Sequence, residues 1–199
     1  MFTGGTLAMG LWSFGVFGIY FFSALWLQNS LGFSPVEAGA AFVPMALLMA
    51  TVAIQAQRLA RLLGNGRTVA LGLGLMATSV LGISFVGAGG GYLDVLPWFL
   101  LYGLGGGMLV PLTTMILGAL PSDRAGVASG VLNVSREVFG LLGITVLGAI
   151  LNARQAEADF LAAYQSTLVI AAIIVAVGIP VSLYSLRRTA QAAMAGASN

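Results

Sequence analysis

The sequence contains no cysteine, no histidine and no lysine. Those absences remove disulfides, Cys/His zinc sites, His-ligated haem, and the Ser-His, Cys-His and Ser-Lys nucleophile pairs. An intramembrane enzyme built on any of these chemistries is excluded, and no cofactor or metal is expected. Charge is also scarce. Only 7% of the 199 residues are charged, against about 25% in an ordinary soluble domain, and the mean hydropathy is +1.00. A chain of this composition cannot coat a water-facing surface, so the lipid bilayer is its expected surrounding. The eight positive charges are scattered arginines with no basic block of the kind that tracks a phosphate backbone, which excludes nucleic acid as a partner.

What the sequence does have is long apolar runs. A charge at the bilayer centre costs about 2.5 to 3.5 kcal/mol, so charge-free stretches mark spans. Those stretches predict six helical spans near residues 7–28, 36–57, 68–87, 95–116, 127–150 and 166–186, each long enough to cross about 30 Å. Helices are required because lipid offers no partner for an open strand edge. Turn chemistry separates the spans at Asn29-Ser30-Leu31-Gly32, Gly64-Asn65-Gly66, Gly89-Gly90-Gly91 and Pro121-Ser122-Asp123. Ser34-Pro35 with Glu37 reads as a helix start, with proline in the first position and an acid in the first turn.

Loop charges set an expected orientation. With residue 1 in the cytoplasm, one side carries Arg58, Arg61, Arg67, Arg124, Arg187 and Arg188 against Asp123 alone, a balance of +5. The other side carries Glu37, Asp94, Glu157 and Asp159 against Arg154, a balance of −3. The positive-inside rule then places both termini in the cytoplasm. Residues 1–6 lack a basic signal-peptide start, so span 1 is expected to persist in the mature protein.

Three features carry chemistry. Asn133, Arg136 and Glu137 are polar within span 5, and ionisable residues at membrane depth are candidates for a substrate or proton pathway or for a structural ion pair. Helical geometry puts 133 and 137 one turn apart and 136 about 100° round from 137, so the three are expected to share a sector with Ser129, Gly130 and Gly140. Span 1 is rich in aromatics, with Trp12, Phe17 and Tyr20 as candidate lining for a flat ligand and Met108 as an adaptable neighbour. The glycine run Gly103, Gly105, Gly106 and Gly107 before Pro111 marks a helix that can bend or be approached closely, and Gly126 with Gly130 has the GxxxG packing spacing. The glycine run is not a phosphate loop, since no Lys-Ser/Thr follows it.

From Gly103 to Leu151 the chain resembles the C-terminal half of a major facilitator superfamily transporter, of the 14-span drug:proton antiporter group (EmrB/QacA type). The resemblance rests on the glycine-rich helix with Pro111, the loop Pro121 to Arg124, Ala125-Gly126-Val127-Ala128-Ser129-Gly130 and Asn133-Val134-Ser135-Arg136. Leu27-Gln28, Gly32-Phe33-Ser34-Pro35, Gly39 and Pro44 match the segment that opens the C-terminal bundle. It implies an all-α membrane protein: one six-helix bundle with a 3+3 inverted repeat, spanning residues 1–199, its N-terminal bundle absent. In that family the first and fourth helices line the cavity, the second and fifth pack on the opposite bundle, and the third and sixth face lipid. The implied function is proton-coupled efflux of drugs or other lipophilic small molecules by alternating access, in the cytoplasmic membrane. Its partners would be the substrate, protons and a second six-helix bundle, either the N-terminal half or another subunit. The stretch after span 2 resembles a worn copy of the family's cytoplasmic loop motif, with Leu59 and Gly64 in place but Arg61 where an Asp is expected. That departure keeps an alternative open, a non-transporting membrane subunit that assembles with and tunes a partner bundle.

Overall fold

The computed structural model describes residues 2–87, 89–117, 125–155 and 159–196, and these contain eight helices. They are α1 (Phe2–Leu31), α2 (Pro35–Ala40), α3 (Val43–Leu63), α4 (Asn65–Ser84), α5 (Tyr92–Gly107), α6 (Val110–Leu117), α7 (Ala125–Gln155) and α8 (Phe160–Gly196). Six segments are long and apolar enough to cross a membrane: Met9–Leu31, Pro35–Leu63, Asn65–Ser84, Tyr92–Thr114, Gly126–Gln155 and Phe160–Pro180. The chain is an all-α, multi-pass membrane protein folded as one six-helix bundle.

Spans 2 and 4 are each two helices rather than the single rod expected from hydropathy. Both interruptions, at Ala41–Phe42 and at Met108–Leu109, fall just ahead of a proline. Pro44 and Pro111 have no N–H to give the carbonyl four residues back, and their rings crowd it, so the helix cannot run through. At the second interruption the Met108 and Leu109 N–H groups instead donate to the Gly105 and Gly106 carbonyls at 3.1 and 3.2 Å. The start of α2 is the helix cap anticipated above. Ser34 N–H donates to the Glu37 carboxylate at 2.8 Å, and the Glu37 N–H donates to Ser34 Oγ at 3.3 Å. Asp94 plays the same part in α5, accepting from the Gly91 N–H at 2.8 Å.

The packing has an internal two-fold pattern. α1 lies along α7 as α5 lies along α3; α5 also packs on α4 as α1 packs on α8; and α4 with α8 forms the most extensive pair. Exchanging spans 1–3 with spans 4–6 leaves this list unchanged, which is the 3+3 arrangement. Glycines make the matched seams close. Met45 O would sit 2.5 Å from a Cβ on Gly103, Met49 O 2.7 Å from one on Gly107, and Gly72 O 2.5 Å from one on Gly105. Across the α1–α7 seam, rings fill the glycine positions: Phe139 against Gly10, and Phe17 against Gly140.

The α4–α8 pair leaves only one side of each helix outward, at residues such as Leu71 and Ile173. Coverage is uneven across the bundle. Of the most apolar stretch in each span, 56% is buried in spans 1, 3 and 4, but only 17% in span 2 and 22% in span 5.

The loops sort to two ends. At one end Gln57 donates to Thr114 Oγ1 at 2.9 Å, close to Arg58 and Arg61. At the other, the Tyr92 hydroxyl donates to Ala41 O and the Gln165 amide to Val86 O, both at 2.9 Å. Pro121, Ser122, Asp123, Arg124 and Glu157 lie outside the described residues, as do the side chains of Arg187 and Arg188.

Candidate functional site

The polar residues of α7 do not share one sector. Gly126, Gly130, Asn133 and Glu137 fall on one line at helical spacing, and all four are exposed. A Cβ on either Gly126 or Gly130 would meet nothing within 4 Å, so the close packing expected from their GxxxG spacing does not occur among the described residues. Arg136 belongs to the neighbouring line, with Leu132, Gly140, Gly143 and Leu147, which faces α1. The expected grouping of Asn133, Arg136 and Glu137 with Gly140 is therefore corrected: a rotation of about 100° per residue is enough to turn 136 inward while 137 stays outward.

Arg136 meets Trp12. The guanidinium carbon stands 5.3 Å from the centre of the indole ring, a cation–π contact worth about 2 kcal/mol when desolvated. Among the described residues Arg136 forms no ion pair, and Glu137, the acid next to it in sequence, also forms none. Four buried polar atoms find no hydrogen-bond partner among the described residues: Trp12 Nε1, Ser13 Oγ, the Tyr102 hydroxyl and Arg136 Nε. All four can donate, and all sit on α1, α5 or α7. A buried donor without an acceptor costs about 1 to 3 kcal/mol.

The other expected residues distribute around this contact. Phe17 is half-buried with its ring over Gly140, on the same α1–α7 seam as Trp12 and Arg136. Tyr20 lies about two turns beyond Trp12 on α1 and belongs to a second cluster, 5.1 Å from the Phe42 ring and 6.4 Å, edge-on, from Tyr102. Met108 lies apart from both clusters, in the interruption after Gly107 and against Gly72 of α4. Pro111 is buried one turn beyond. At the arginine-bearing end, Leu59 and Arg58 line an open groove of about 290 Å³ on α3 with Val52, Gln55, Ala56 and Leu62. Arg61 is exposed, and Gly64 closes α3 at φ +87°, a left-handed conformation that favours glycine.

Sequence reasoning missed Ser13 and Tyr102. Tyr102 had a signal, as the polar side chain immediately before the first glycine of the tight run. Ser13 had none beyond its place next to Trp12.

The amino-acid sequence from residue 2 to residue 144 matches the Major Facilitator Superfamily. The tetracenomycin C resistance and export protein of Streptomyces glaucescens is 35% identical over 151 residues, which are 75% of this chain and 28% of that protein. A puromycin resistance protein of Streptomyces alboniger is 32% identical over 155 residues, covering 74% of this chain and 30% of its own length. The multidrug transporter protein MdtP of Bacillus subtilis is 29% identical over 143 residues, 71% of this chain and 26% of its own. The chain thus spans less than a third of the length of these relatives. It belongs to the Major Facilitator Superfamily.

Proposed function

We propose that this member of the superfamily acts as one six-helix half of a drug exporter, the C-terminal half of a 14-span drug:proton antiporter, working by alternating access in the cytoplasmic membrane. The observation that carries this reading is the uncovered face of α7. Gly126, Gly130, Asn133 and Glu137 form an exposed line on one of the two least covered spans, in a chain whose relatives are named for drug resistance and export. An exposed acid and amide at membrane depth are unfavourable against lipid and are tolerated against a water-filled path or a partner helix. A second bundle laid on α3 and α7 would create that path between the two halves, with the substrate near the midplane. In this reading Glu137 carries the exchanged proton, and the interruption at Met108–Leu109 lets span 4 change its tilt. The arginine-bearing end with Arg58, Arg61 and Arg67 is the cytoplasmic one.

The test is a chimaera. The chain replaces the stretch it matches in the tetracenomycin C resistance and export protein, and cells lacking other exporters are scored for resistance and for energy-dependent efflux. The reading expects resistance that collapses with Glu137→Gln. A chimaera that reaches the membrane intact and gives none contradicts it.

Arg61, exposed in the last turn of α3 where an acid is expected, favours a second reading as a non-transporting subunit that tunes a partner bundle. Under that reading Glu137→Gln leaves the partner's transport intact, while loss of the whole chain abolishes assembly.

A further inference from the structure

We infer that the Trp12–Arg136 contact on the α1–α7 seam is a recognition site for a carboxylate group on the transported molecule, an inference that rests on the exporter reading. The geometry there is half of a binding site. Arg136 Nε and Trp12 Nε1 are both buried donors without an acceptor, they belong to side chains in direct contact, and Trp12 is only 8% exposed.

The chemistry of the missing partner follows from the donors. Both are N–H groups, and one is part of a permanent cation, so the partner is an acceptor with negative charge. A guanidinium offers paired N–H groups in one plane, the geometry that a carboxylate accepts two at a time. The indole ring 5.3 Å from the guanidinium carbon ties Arg136 to the seam, and the two partnerless N–H groups lie on side chains in contact. No acid among the described residues serves. Glu37 and Asp94 are engaged in helix caps at the far end of the bundle, Asp159 is exposed just ahead of α8, and Glu137 lies on the outward line of α7 without an ion pair. The acceptor must therefore be brought from outside these residues. Phe17 and Phe139, on the same seam, supply apolar rings that suit an aromatic or polycyclic body attached to the carboxylate. An organic cation, by contrast, would meet the charge of Arg136.

The test uses the purified chain in lipid nanodiscs, with 1-pyrenebutyrate and its methyl ester as probes. Binding is read by energy transfer from tryptophan to pyrene after subtraction of empty nanodiscs. The wild-type chain is expected to bind the acid at least tenfold more tightly than the ester. Arg136→Gln should bring the two within twofold of each other, Arg136→Lys should recover part of the ratio, and Trp12→Phe should lower it several-fold. Arg154→Gln, which removes an exposed charge at the opposite end of α7, should leave it unchanged. Each variant is checked for a wild-type circular dichroism spectrum, so that misfolding is not read as lost binding, and Arg136→Lys with Trp12→Phe keep the test alive if Arg136→Gln does not fold. Equal affinity for acid and ester in the wild type overturns the inference, as does a ratio that survives Arg136→Gln. So does a wild type that binds neither probe while Arg136→Gln lowers its unfolding midpoint, because the acceptor then belongs to protein and not to cargo. The assay needs no transport. A preserved ratio with a chimaera that exports nothing removes the exporter reading alone, and export without the ratio removes the site alone.

Discussion

α5 and α7 carry glycines at the same four-residue spacing and use them in opposite ways. On α5, Gly103 and Gly107 press against the backbone of α3, with Met45 O and Met49 O where a side chain would begin. On α7, Gly126 and Gly130 have nothing against them among the described residues. Glycine spacing therefore reports that a helix face is smooth, and says nothing about whether the partner is in the same chain. The structure separates the two: the smooth face of α5 is filled from within the bundle, and that of α7 meets nothing among the described residues.

The comparison breaks most readily at its tight side. Gly103→Leu forces a side chain into the α3 backbone, which cannot rotate away, and is expected to cost about 3 kcal/mol or more. An SDS titration followed by tryptophan fluorescence would show a lost or much earlier transition; a wild-type midpoint would mean the seam is looser than described. Ser79→Ala on the α4–α5 seam removes the donor to Trp98 O, a bond of 2.6 Å, and should cost about 1 kcal/mol in the same titration. Ser34→Ala should cost about as much or slightly less, since it removes the acceptor for the Glu37 N–H at the start of α2. Circular dichroism should register it as a small shift of the midpoint. The open side should barely respond. Gly130→Ala is expected to stay within about 0.5 kcal/mol of wild type, because the new methyl meets nothing among the described residues. A loss as large as that at Gly103 would erase the distinction between the two helices.

Much of this fold was legible before any coordinates. The six spans and the Ser34–Glu37 cap followed from charge-free length and capping chemistry, and the glycine run before Pro111 marked a helix able to bend, though not one that is interrupted. Helix ends were less legible. α1 runs on through Gln28, Asn29 and Ser30 to Leu31, beyond the apolar stretch, because the end of hydropathy is not a signal that stops a helix. The split of span 2 was overlooked for the opposite reason: Pro44 sits in an unbroken apolar run, and hydropathy does not register a lost hydrogen bond.

The candidate site was legible as a set of residues and not as an arrangement. Asn133, Arg136 and Glu137 stood out by polarity, but which of them turns inward depends on the azimuth of α7 against α1. That azimuth is fixed by where Gly140 and Gly143 admit Phe17 and Phe14. Trp12 and Arg136 are 124 positions apart in sequence, and no local pattern joins them.

The central claim is that the exposed line of α7 borders water in the working protein, whereas exposed apolar positions elsewhere border lipid. The sequence has no cysteine of its own, so single-cysteine variants report without background. The direct measurement is labelling of Asn133→Cys and Ile173→Cys in native membranes with a charged, water-soluble maleimide; Ile173 is 57% exposed on α8. The account predicts rapid labelling at 133 and none at 173. Equal labelling at the two positions, or labelling at 173 alone, would contradict it.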